Sequence, residues 1–354
     1  MTLASIQGAS SAADPGDEAV KSFGDRLAER VAARRSQVVL GLDPDPARLW
    51  PEAVRRAESG ELAGAAPAPG AAPARGATPA PGAAPATPAP GGTPAARAAR
   101  AVAAHCALAI EATAGECVAV KLQVACFERL GAAGWSVLAE TAALAREHGL
   151  LVIADAKRGD VDVTARAYAQ AFLGETPSPF GPIAGLGADA MTVNPLLGRD
   201  SLEPFVTTAR AHARGLFVLV RTSNPGAADV QERTLADGTA VSEHIADLVA
   251  EIGAGGVGRM ALSDVGAVVG ATAPERLAAL RERMPHAAFL LPGVGAQGGN
   301  VEELAPAFAP GPAGGLIAAS RGIVAAHERT GGDPAAAAAS EAARLRELAW
   351  RLAA

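Results

Sequence analysis

Residues 152–168 read VIADAKRGDVDVTARAY. Three acids, Asp155, Asp160 and Asp162, interleave with two bases, Lys157 and Arg158, directly behind an apolar run. The run has the character of a strand and the residues after it that of a helix start. In a strand, positions two apart share a face, so Asp155 and Lys157 point the same way. An ammonium held among carboxylates in a confined pocket is a cation whose proton can be tuned, and such groups concentrate at functional sites. Burying these charges costs several kcal/mol per ion unless they pair with one another. A structural ion-pair network at the same place is the competing reading, and a solvated turn the blandest one.

The lysine count sharpens the choice. Among 31 basic residues only Lys21, Lys121 and Lys157 are lysines, so arginine serves wherever a generic surface cation is wanted. Lys121 and Lys157 end the apolar runs CVAVK and LLVIADAK. Those are positions where a compact, titratable ammonium does what a permanently charged guanidinium does not.

Positioning such groups requires a scaffold of strand ends. Candidate strands are 37–43, 117–123, 150–156, 188–194, 215–222, 265–272, 288–293 and 315–320. Helical stretches are expected near 100–114, 135–148, 161–173, 200–213, 240–253, 274–283, 299–305 and 335–352. Near-continuous apolar strands alternating with helices indicate parallel pairing, and eight such units predict an α/β fold of the (β/α)8 TIM-barrel kind. An open doubly wound sheet is the alternative. A barrel places its chemistry at the C-terminal ends of its strands. Those ends carry Asp43, Lys121, Asp155 with Lys157, Asn194, Thr222 with Ser223, the stretch from Gly293 to Gln297, and Ser320 with Arg321. Glycine-rich backbone after strands seven and eight (PGVGAQGGN and AASRGI) fits a barrel phosphate site, with Arg321 as a charge-assisted contact.

The expected organisation is a disordered N-terminus over 1–18 and one barrel over 19–354, interrupted after the first strand by a low-complexity loop over 60–98. PAPGAAPA occurs there twice, at 67–74 and 79–86, and large apolar side chains are nearly absent. Such a segment lacks the surface to offset its ordering entropy.

Composition narrows the partners. A net charge of −6 with 49% hydrophobic residues argues against nucleic acid or an anionic membrane, while small anions need only local positive charge. The sequence shows no secretory signal and no membrane-spanning run, which predicts a cytoplasmic protein. Cys106, Cys117 and Cys126 lack zinc or disulfide spacing, and the six histidines are scattered, so no metal site is expected. Together these features describe an enzyme for a small phosphorylated molecule that uses a Lys/Asp array.

At this point the motifs resemble a known family. DAKRGDV fits the D-x-K-x-x-D-[IV] signature of the orotidine 5′-phosphate decarboxylases. GLDPDP, KLQVACFERLG, TVNPLLGRDSLEPF, VRTSNPGAADVQ, LPGVGAQGG and ASRGI are similar to its bacterial type 2 branch. The resemblance implies cofactor-free decarboxylation of orotidine 5′-phosphate (OMP) to UMP and CO2 in pyrimidine biosynthesis, by a homodimer with shared active sites. It implies that Lys157 protonates C6, with Asp155 beside the substrate carboxylate and Lys121 linking the ribose to the charge array. Asp43 would bind the ribose, Ser223 the pyrimidine, and Gln297 and Arg321 the phosphate. Asp160 and Thr164 would reach into the partner's site. Hexulose-phosphate synthases and related sugar-phosphate decarboxylases share D-x-K-x-x-D but hold magnesium partly through a glutamate near the end of strand two, where this chain has VAVKLQV.

Overall fold

The eight apolar runs form the eight parallel strands of a closed barrel in the computed structural model, which describes residues 21–59, 92–295 and 297–353. The strands are β1 (Val38–Leu42), β2 (Ala119–Gln123), β3 (Leu151–Arg158), β4 (Ala190–Val193), β5 (Gly215–Arg221), β6 (Val265–Val269), β7 (Phe289–Pro292) and β8 (Gly315–Ala319). Each pairs with its neighbours in sequence. β1 also pairs with β8, Val38 opposite Ile317, and that closure removes the open-sheet alternative. The closure is tight at the site, because a Cβ on Gly41 would lie 2.7 Å from the Cβ of Ser320.

Alternation along the strands produces two apolar layers. Outward residues such as Val38, Leu40, Val152 and Ile317 pack against the surrounding helices. Inward residues, among them Val39, Ile153, Phe217 and Leu290, fill the barrel's lower half. A helix over Phe23–Arg34 closes that lower end. Phe23 meets Phe217 edge-on with ring centroids 6.1 Å apart, and Leu27 and Val31 follow on the same helical face. This helix is absent from the sequence reading, although Ser22 caps it and Phe23, Leu27 and Val31 recur every four residues.

Other differences have local causes. The expected helix near 299–305 is a run of 3-10 turns over Val301–Phe308, with Pro306 inside it. Proline removes a backbone donor and disfavours continued α-helix there. The helix after the low-complexity stretch begins at Pro94, ahead of the loop end expected at residue 98. Thr93 accepts a hydrogen bond from the Ala96 amide and Pro94 supplies a preset φ. The expected disorder over 1–18, and the expected loop over 60–91, lie outside the described residues. A two-stranded hairpin, Glu175–Thr176 with Ile183–Ala184, adds an element not anticipated.

The last two units are fastened by one buried guanidinium. Arg281 donates to the carbonyls of Met284, Ala287, Ala307 and Gly314 and lies over the Phe289 ring at 3.7 Å. Burial pushes its pKa down to about 10, which still leaves it charged at neutral pH. These carbonyls belong to the segments leading into β7 and β8, the strands whose ends form the glycine-rich loops. Arg281→Ala strands four buried acceptors and is expected to lower stability by about 3 kcal/mol or more. A urea-unfolding comparison checks this, and a loss below about 1 kcal/mol would show that water replaces the guanidinium.

Candidate active site

The upper end of the barrel opens into a cavity of about 360 Å³ lined by groups from all eight strand ends or the loops after them. Lys121 and Gln123 enter it from β2, Asp155 and Lys157 from β3, and Thr192 from β4. The register of β2 against β3 sets Gln123 beside Asp155. The hydrocarbon floor of Leu219, Val268 and Leu290 lies below these polar groups.

Asp155 is the hub. Its Oδ2 accepts from Lys121 Nζ at 2.7 Å and from Gln123 Nε2 at 3.1 Å. Its Oδ1 accepts from Lys157 Nζ at 2.6 Å and from the Thr192 hydroxyl at 2.9 Å. Burial pushes the Asp155 carboxyl up, but the Lys121 and Lys157 ammoniums outweigh it and hold it well below the usual carboxylate range. Burial pushes Lys121 down, and the charges of Asp155 and Asp43 more than reverse this. Asp43 lies 3.7 Å from Lys121 Nζ. Asp155 and Lys121 are therefore both held in their charged forms near neutral pH.

Exposure separates the two lysines. The Lys121 side chain is 9% exposed and lies behind Asp155, whereas that of Lys157 is 44% exposed and faces the opening. Lys157 owes its direction to an irregularity. Ala154 pairs with Met191 and Arg158 with Val193, so Asp155, Ala156 and Lys157 stand opposite Thr192 alone. Within this bulge Lys157 adopts φ +49°, a left-handed conformation that costs a non-glycine residue about 1–2 kcal/mol. Period two alone would put Lys157 on Asp155's face, and the bulge reaches a similar result by another route.

Across the cavity, the loop after β7 places Gly293, Val294 and Gln297, and the turn after β8 places Ser320, Arg321 and Gly322. Gly293, Gly295 and Gly298 take φ of +99°, +72° and +93°, values that favour glycine and let this loop turn sharply. Thr222, Ser223 and Asn224 line a third wall. The Thr222 amide donates to Gln231 Oε1, and Arg221 pairs with Glu232 at 2.7 Å, which ties this wall to the loop beyond it.

The cavity thus gathers Asp43, Lys121, Asp155, Lys157, Ser223, Gln297 and Arg321. Asp160 and Thr164 are not among its lining residues. Asp160 is half-buried and accepts from the Val161 amide, and Thr164 is exposed on the helix Asp162–Phe172. Arg158, which lies beside them in sequence, pairs with Glu128 and stacks over Tyr168 and Phe172. Asp162 is exposed, 3.8 Å from Arg166. Gln123 and Thr192 are site residues that the sequence reading did not single out. Thr192 is the one polar residue inside the run AMTV, and Gln123 follows Lys121 by two positions.

Among the described residues, no helix is long and apolar enough to cross a membrane. Cys106 and Cys117 are free and buried, and burial pushes both thiols up to about 12.

Comparison with known proteins places this geometry in context. The sequence matches the model of the Orotidine 5'-phosphate decarboxylase / HUMPS family over residues 91–339. It is 46% identical over 224 residues to the orotidine 5'-phosphate decarboxylase of Rhodopirellula baltica, covering 63% of this chain and 73% of that one. It is 40% identical over 310 residues to the enzyme of that name from Haloarcula marismortui, covering 86% and 88%. The solved structure of Leishmania donovani OMP decarboxylase aligns with a TM-score of 0.63 at 30% identity, over 93% of this chain and 99% of that one.

Proposed function

Since the chain belongs to the Orotidine 5'-phosphate decarboxylase / HUMPS family, we propose that it is a carboxy-lyase converting OMP to UMP and CO2 in pyrimidine biosynthesis, without a cofactor, in the cytoplasm. The observation that carries the reading is Lys157. Its ammonium is held 2.6 Å from a buried carboxylate yet faces an open cavity with a glycine-rich wall and Arg321 opposite.

The chemistry follows from that placement. Breaking the bond between C6 and the carboxylate carbon releases CO2 and leaves the electron pair on C6, with no adjacent sink. A fixed cation beside that carbon stabilises the developing charge without reorganising. Lys157 supplies the cation and then transfers an Nζ proton to C6, giving UMP and a neutral amine that solvent reprotonates. Asp155 lies against the departing carboxylate, and Lys121 compensates its charge from behind. Asp43 takes the ribose, Ser223 the pyrimidine, and Gln297 with Arg321 the phosphate, whose binding energy helps to close the site around the base.

Asp160 and Thr164 serve a second copy's site. Their neighbours support this assignment: Val161 is 48% exposed, Val163 71%, Leu196 77% and Leu197 52%. The loops that bear these residues adjoin, since the Asn194 amide donates to the Arg158 carbonyl at 2.8 Å. An apolar rim around an acid beside the cavity mouth suits burial against an identical chain.

The family also includes enzymes of sugar phosphates, which the resemblance links to a magnesium-binding acid near the end of β2. Here Lys121 and Gln123 occupy that end, and the nearby Glu128 is engaged by Arg158. Loss of OMP absorbance in metal-free buffer with EDTA is the expected result. Strict Mg2+ dependence, or no turnover of OMP, would overturn the reading.

A further inference from the structure

We propose that Thr192 is a positioning residue that aims the Lys157 ammonium by holding the bulge of β3 and the carboxylate of Asp155 with one hydroxyl. The inference rests on the decarboxylase reading and assigns a role to a residue outside the charged array.

The hydrogen-bond polarity at Thr192 is forced. The Lys157 amide can only donate, and it does so to Thr192 Oγ1 at 2.9 Å. The hydroxyl's own proton is left for an acceptor, and it goes to Asp155 Oδ1 at 2.9 Å. An ionised carboxylate can only accept, so the arrangement cannot reverse while Asp155 is charged. Thr192 is 1% exposed, which leaves water little room to take over either bond.

The consequence is geometric. Asp155 Oδ1 is the atom that Lys157 Nζ contacts, and the Lys157 amide belongs to the residue held at φ +49°. One hydroxyl therefore fixes both ends of the Lys157 side chain: the backbone from which it springs and the oxygen on which its tip rests. Three residues of β3 face this single residue of β4, so no other β4 partner stabilises the bulge at that point. Without the hydroxyl the bulge can relax toward ordinary strand geometry, and the ammonium shifts relative to the substrate's C6. A displacement near 1 Å is enough to cost about 100-fold in rate.

The test compares Thr192→Val, nearly the same shape without the hydroxyl, with Thr192→Ser, which keeps it. With OMP as substrate, the Val variant is expected to lose about 10- to 100-fold in kcat, with KM within about 3-fold of wild type. Thr192→Ser should recover most of the lost rate. UMP affinity, measured by calorimetry, should change little in both. Thermal melts establish folding, and should the Val variant not fold, Thr192→Ala reads the same loss of hydroxyl with no added apolar contact. Retention of kcat without the hydroxyl would overturn the inference. So would a rise in KM alone, or equal losses in the Ser and Val variants, which would assign the effect to side-chain shape. A wild-type protein inactive on OMP would instead sink the decarboxylase reading and this inference with it.

Discussion

Replacing Lys157 with alanine should lower turnover of OMP by at least about 10^4-fold while leaving UMP binding measurable. Two losses combine in that figure: the cation beside C6 as the carbanion forms, and the proton that replaces CO2. Folding should survive, because Asp155 keeps three of its four donors, from Lys121, Gln123 and Thr192. The Lys157 side chain is also 44% exposed, so its removal leaves a water-accessible space instead of an apolar void. Release of CO2 from carboxyl-labelled OMP gives the rate, and calorimetry with UMP gives the affinity. A variant within about 10-fold of wild type would take the proton from Lys157 and require another donor.

The second large effect concerns two chains at once. Asp160→Ala and Lys157→Ala should each be nearly inactive alone, yet their heterodimer should recover about half the wild-type rate per dimer. If Asp160 acts across the interface, one of the two sites in such a heterodimer combines an intact Lys157 with an intact Asp160. The other site carries both lesions. The prediction rests on where Asp160 lies: outside its own cavity, beside the exposed Val161 and Val163. Differently tagged chains, co-expressed and purified through both tags, provide the verified heterodimer. No recovery there would place Asp160 in its own subunit's chemistry, or in none.

The charged part of the site was legible in the sequence for physical reasons. Lysine is scarce in this chain, so Lys121 and Lys157 stood out at strand ends, and Asp155 lay two positions from one of them. Barrel geometry then brought Ser223, Gln297 and Arg321 to the same mouth from distant parts of the chain. Neutral partners were harder to see. A threonine in a strand is ordinary on propensity grounds, and nothing in AMTV states that the β3 register slips opposite it. The slip is a tertiary event, visible only once two strands are paired. Pro306 carried a legible warning against an α-helix at 299–305 that the apolar spacing obscured. The helix Phe23–Arg34 had its apolar face in plain sight, but its role as the barrel's floor depends on Phe217 and Leu290, far away in sequence.

That floor governs traffic. Gly215 has no side chain, and a Cβ there would lie 2.1 Å from the Phe23 ring, so the aromatic plug seats hard against the strands. With the interior below the array packed by side chains, the barrel is a cul-de-sac. On the proposed reaction, substrate, nucleotide product, CO2 and the water that restores the Lys157 proton would share the cavity mouth beside the loops after β7 and β8. The same reading has CO2 forming deep, beside Asp155, with the nucleotide's phosphate end near the mouth. In that arrangement, departure of the nucleotide would clear the path for everything behind it, past the loops after β7 and β8 that line the mouth.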